Sequence, residues 1–192
     1  MQKEKKKILI NKLLSELKEI FVCEQPKNPF GVMFKEDINT IEAKMINDFF
    51  LKQSPIGLSI ELLKEIEDYP TFALNWMNFN SFKFYLPIYM RLALENDREL
   101  DFIFFVLVAL TPKNNEFTNI NLFYDSLSLN QHNFIKDFIR FLASDLFFEL
   151  NEGWEITKDI RSIKTQALKA YFGLTNTNMI VTTSMFNFTE AH

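Results

Sequence analysis

Near the start of the chain, apolar residues recur at spacings of three and four. Ile10, Leu13, Leu14, Leu17, Ile20 and Phe21 form one face, with Lys and Glu opposite, which predicts an amphipathic helix. "CEQPKNPFG" breaks it with two prolines and a glycine. Asp37 is placed to cap a second helix with the stripe Ile38, Ile41, Met45, Ile46 and Phe49. "SPIGLS" leads into a third helix, from Ser59 to about Asp68, which Pro70 stops or bends. Asp97 is positioned as an N-cap, with Glu99 and Asp101 favouring the positive end of the helix that follows. That helix, over about 98–110, is apolar on nearly every side after Asp101, as a central buried helix must be. "KNNEFTNINLFYD" reads as a polar, Asn-rich connection with room for one short turn.

Ser128 and Gln131 then match a capping box. The helix behind them carries Phe134, Ile135, Phe138, Ile139, Phe141, Leu142 and Leu146 and is expected to run to the "NEG" before Trp154, with Asp145 and Glu149 on one face. Thr157 starts a last helix with Ile160, Ile163, Ala167, Ala170 and Tyr171 on one side, and Gly173 closes it. The residues from 174 to 192 are β-prone and poor in helix formers. The expectation is an all-α fold: a single compact domain over residues 1–192, of about seven helices with a short irregular C-terminal tail.

The densest apolar stretch, "SFKFYLPIYMRLAL", has a proline at its centre. Pro87 could start a helix, where its missing N–H costs nothing. It could instead lie inside one, removing the bond that the Lys83 carbonyl would accept at a cost of about 3 kcal/mol. Phe82, Tyr85, Leu86, Tyr89, Met90 and Ala93 keep helical spacing across the proline, which favours a helix bent at Pro87. Buried tyrosine hydroxyls there would need acceptors.

Composition narrows the picture. The chain has 192 residues, enough for one sizeable core. Only 4 glycines and 6 prolines are present, too few for the tight turns of a many-stranded β fold. Net charge is −4, so no general basic field attracts phosphates, and nucleic acid is not an expected partner. The basic cluster Lys3–Lys7 reads as a solvated first helical turn. One cysteine, Cys23, excludes an intrachain disulfide. The longest apolar run, Phe102–Leu110, falls short of the roughly 20 residues that span a bilayer. A cytoplasmic protein with no membrane partner is expected.

"FYLPIYMRLAL", preceded by an apolar segment and followed by an acidic loop, a buried helix and "TP", resembles a family of uncharacterised bacterial proteins. They share a "YLP-aromatic" motif and, later, a Ser-x-x-Gln cap before an aromatic "FL" helix. Here those pieces are Tyr85-Leu86-Pro87-Ile88-Tyr89, and Ser128 to Gln131 followed by Phe141-Leu142. The resemblance covers roughly residues 58–148. It implies an all-helical bacterial protein and no assigned activity.

Catalytic equipment is sparse. His192 is terminal, and His132 sits in the first turn of a helix, whose positive dipole end opposes protonation. Two histidines without clustered cysteines offer no zinc site, and no cofactor is expected. No glycine-rich phosphate loop or nucleophile elbow is present. The more expressive signal is acidic: Glu61, Glu65, Glu67 and Asp68 on or near one helix, and Glu95, Asp97, Glu99 and Asp101 after the proline helix. Solvated helix faces and dipole compensation explain them simply. As function, they would form a negative surface for a basic protein partner, such as a toxin domain neutralised by an immunity protein. Trp76 and Trp154 are either core residues or aromatic anchors for such a partner. Two rival readings stay open: an enzyme or small-ligand binder with a carboxylate-and-tyrosine pocket beside Pro87, and a self-associating structural protein.

Overall fold

The computed structural model describes residues 2–21, 40–65, 73–74, 77–112, 119–149 and 157–175. Among them are eight α-helices and one 3-10 turn, Pro55–Gly57. The helices are α1 (Gln2–Ile20), α2 (Ile41–Lys52), α3 (Ile60–Leu63), α4 (Phe79–Glu95), α5 (Leu100–Ala109), α6 (Asn119–Asp125), α7 (Leu129–Ala143) and α8 (Lys158–Thr175). The fold is all-α, as the periodicity requires. The expected cap at Asp37, both tryptophans and the tail after Thr175 lie outside the described residues.

Helix α4 is continuous through Pro87, which lies inside it. It starts where the Asn78 side chain accepts the Ser81 amide at 3.0 Å. It buries Phe82, Tyr85, Leu86, Pro87, Tyr89, Met90, Ala93 and two neighbouring leucines. A helix this apolar on one side gains more from packing than its missing backbone bond costs. It lies against α1, α5 and α6, while α8 packs on α5 and α7, and α1 also touches α7. All these helices contribute to one contiguous apolar core, with Ile103, Val106 and Leu107 of α5 fully inside. Phenylalanine rings interlock between helices, as Phe21 of the α1 end does with Phe123 and Phe134.

The capping box at Ser128 and Gln131 is formed in both directions, at 3.3 and 2.9 Å. Gln131 has a second role: its Nε2 donates to the Ile20 carbonyl at 3.2 Å, tying the start of α7 to the end of α1. Thr157 caps α8, its Oγ1 accepting the Ile160 amide at 3.3 Å. Ile163, Ala167 and Ala170 of its predicted stripe are buried.

Several boundaries differ from the sequence pattern. Helix α2 is capped by Thr40, which accepts from the Ala43 amide. Its buried face is Ala43, Ile46 and Phe50, whereas Ile41 and Met45 are exposed. The buried face shares Ile46 with the predicted stripe and otherwise lies about one position from it, because Phe49 and Phe50 both fit a periodic pattern and only packing chooses between them; Ile38 lies outside the described residues. Helix α3 is a single turn, because Lys64 and Glu65 already leave the helix. The segment expected to be a connection with room for one short turn contains α6, whose Ile120 and Phe123 are buried. Helix α7 ends at Ala143, not near Gly153. Ser144 adopts an extended conformation there and uses its hydroxyl locally, donating to the Phe141 carbonyl at 2.7 Å and accepting from the Phe147 amide at 3.2 Å.

Gly173 does not close α8; the helix continues to Thr175. Glycine is there for space. A Cβ at this position would stand 2.6 Å from Pro112 Cδ and 2.8 Å from its Cγ. Helix propensity alone would favour Gly173→Ala by about 1 kcal/mol. The rigid proline ring reverses the sign. Gly173→Ala is expected to lower stability by about 1–2 kcal/mol, measured by urea denaturation.

Candidate functional site

The N-terminal half of α1 is held at the loop after α4. Lys6 is not part of a solvated turn; it is 6% exposed. Its ammonium lies 2.5 Å from Asp97 Oδ2 and 3.2 Å from Glu149 Oε1, and 5.1 Å above the Phe147 ring. Asp97 therefore does not cap α5. Glu99 occupies the cap position and makes no capping bond. Asp145 and Glu149 do not share a helix face either. Asp145 pairs with Lys164 of α8, and Glu149 turns back to Lys6 with φ 54°, a left-handed conformation costing about 1 kcal/mol outside glycine.

With Lys6 at Asp97, and Phe21 sharing Phe123 with Phe82 near the start of α4, α1 runs antiparallel to α4. Between them lies an open groove of about 390 Å³. Its α1 wall is Leu14, Leu17, Lys18 and Phe21, and its α4 wall is Phe84, Pro87, Ile88, Arg91 and Glu95. Each set follows the i, i+3, i+4, i+7 spacing of one helix face. Arg91 is committed within the chain, to Glu95 at 3.3 Å and to the Leu58 carbonyl at 3.0 Å. The second bond draws the segment before α3 against this end of the groove. Lys18 is exposed and makes no ion pair among the described residues.

The acidic positions divide by their partners. Glu95 pairs with Arg91, Asp97 with Lys6, and Glu99 with Lys64 at 3.0 Å. Those three are largely neutralised in place. Glu61, Glu65 and Asp101 are exposed. Glu61 stands in the first turn of α3, where a backbone N–H and then the Ser59 hydroxyl hold its carboxyl below the ordinary carboxylate range. Glu67 and Asp68 lie outside the described residues. Sequence reading missed Lys18, Arg91 and the groove's α4 wall: the α1 stripe was visible, but the predicted α4 stripe, Phe82 to Ala93, is the core face, and the groove is bordered by the neighbouring face through Phe84, Pro87, Ile88 and Arg91.

Tyr85 and Tyr89 do not line this groove. Both are buried in the core, Tyr89 stacked on Phe102 and Tyr85 against Phe50 and Phe84. Leu86 is fully buried beside Pro87. Tyr124, half-buried on α6, donates to the Leu110 carbonyl at the end of α5. Burial, and secondarily the neighbouring Tyr85, raises the Tyr89 pKa, and burial raises that of Tyr124. His132 is pushed below its ordinary value by partial burial and by Lys136. Among the described residues, no group of three His, Cys, Asp or Glu could hold a metal ion, and no helix is long and apolar enough to cross a membrane.

The helical core and the capping box at Ser128 define an all-α protein. Residues 61–170 match a family of unknown function, DUF6714, and the chain belongs to that family. The match extends beyond residue 148 into α8, so the last helix is part of the family unit while α1 and α2 precede it. No curated protein and no solved structure gives a match.

Two expectations follow from this geometry. Lys6→Met keeps the contact with Phe147 but leaves Asp97 and Glu149 without their cation. Their side chains are 31% and 41% exposed, so water offsets part of the loss. We expect about 2 kcal/mol of destabilisation, with Asp97→Asn recovering part of it in a double-mutant cycle.

The second concerns pH. Burial raises the Tyr85 pKa to about 12 from 10.0. In the unfolded chain this phenol loses its proton near pH 10, and in the folded chain only near pH 12. The unfolded state therefore binds fewer protons in that window, and stability falls as pH rises through it. Tyr85→Phe should make that alkaline loss shallower, as read from denaturation midpoints measured at successive pH values.

Proposed function

We propose that this protein works by binding a protein partner and carries out no catalysis. Its most concrete form is a bacterial, cytoplasmic immunity protein that neutralises a basic toxin domain by direct contact. The observation that carries this reading is the groove between α1 and α4, apolar along its floor and joined through Arg91 to the segment bearing Glu61 and Glu65. An apolar cleft gives a partner side chain somewhere to be buried. Exposed acids nearby raise the rate at which a basic partner arrives. The buried Tyr85 and Tyr89 add support, because the proline helix then serves as packing material and leaves the surface to recognition.

The test is association of the purified chain with the protein products of genes adjacent to its own. A tight complex is expected, weakening at least about tenfold as salt rises from 0.05 to 0.5 M. Reversing Glu61, Glu65 and Asp101 together to lysine should slow association while circular dichroism stays unchanged. Absence of any tight complex, or a complex indifferent to salt, would sink the reading.

A further inference from the structure

The groove has a polarity of its own. Its α4 wall extends from Phe84 to Glu95, about 16 Å at the helical rise of 1.5 Å per residue. Because α1 is antiparallel to α4, Lys18 lies toward the Phe84 end and Leu14 toward the Arg91 end. One end therefore presents Lys18, a cation with no ion pair among the described residues. The other is acidic: Glu95 is offset by Arg91 at 3.3 Å, and the exposed Glu61 and Glu65 beyond the Arg91 link add negative charge. Leu14, Leu17, Pro87 and Ile88 provide apolar surface between the two ends.

We propose that this groove receives one amphipathic helix of the partner, as a third helix laid along α1 and α4. The proposal rests on the partner-binding reading and specifies the chemistry of the partner. Three features favour a helix. Both walls are themselves helix faces with a matching repeat, so side chains at i, i+3 or i+4, and i+7 of an incoming helix meet the floor turn by turn. The cleft is open along its length, which admits side chains from a backbone that stays outside. The opposed charges at its ends fix direction: the helix carries an acidic residue at the Lys18 end and a basic residue about three turns away at the Glu95 end. The reversed helix would set like charges against each other at both ends.

A labelled synthetic helix of about 18 residues provides the probe, long enough to hold helical structure. It carries leucines at the spacing above, a glutamate near one end of the leucine stripe and a lysine near the other. Its control carries lysine at both positions. Fluorescence anisotropy with the full chain is expected to favour the glutamate-lysine peptide over this control by about tenfold. Lys18→Glu should reverse that preference. Ile88→Glu should abolish binding with helicity unchanged, and Leu14→Glu serves if Ile88→Glu does not fold. Equal binding of both peptides, or binding that survives both groove substitutions, overturns the proposal. So does Lys18-dependent displacement of a groove-bound dye by dodecanoate without displacement by either peptide, because the occupant would then be an acyl chain. A salt-sensitive complex with a neighbour-encoded protein that persists in Ile88→Glu and Lys18→Glu overturns this docking mode while leaving the partner-binding reading standing. Oriented peptide binding without any such complex does the reverse.

Discussion

Burial of the aromatic face of α4 is the constraint on which the rest of the molecule depends. This helix carries a proline at its centre, and it persists because most of its length is covered by α1, α5 and α6. An isolated helix with an internal proline would be marginal in water. Its stability is therefore tertiary. Tyr89 against Phe102 and Tyr85 against Phe50 are part of the packing that keeps the segment helical. With those phenols committed to the interior, α4 turns a different edge to the groove, where Phe84, Ile88 and Glu95 line it.

Much of this was legible in the chain. The 3.6-residue repeat revealed α1, α4, α7 and α8, and local side-chain chemistry revealed the caps at Ser128 and Thr157. Helical spacing across Pro87 identified α4 as continuous. These features share one property: the information lies within a few neighbouring residues. The features that escaped depend on residues far apart. Lys6 resembled its solvated neighbours, and its burial is decided by Asp97, Glu149 and Phe147, the carboxylate of Glu149 lying 143 positions away. Gly173 resembled a helix terminator, and Pro112 shows that it is a spacer. Asp97 resembled a cap because caps are recognised by local context, which carries no trace of the lysine that claims it.

The candidate surface follows the same division. The acids were visible individually, but whether each remains an open charge depends on Arg91, Lys64 and Lys6 arriving from other elements. Three of them acquired cations, leaving Glu61, Glu65 and Asp101 as the more exposed part of that surface. The groove could not be inferred from either stripe alone, because a face that lines a cleft and a face that fills a core have the same period.

Helix α1 precedes the portion of the chain that defines its family, yet it builds one side of the cleft. It is attached at both ends by contacts that spare its exposed flank: Lys6 at the start, and the Ile20 carbonyl at the finish. On the proposed reading, recognition and architecture are thereby separated along a single helix. If the cleft binds the partner proposed above, substitutions at Leu14 or Lys18 would alter what it accepts while the anchors and the shared scaffold stay as they are. Descendants of one ancestral fold could in this way diverge in the company they keep by changing a handful of positions upstream of the common region.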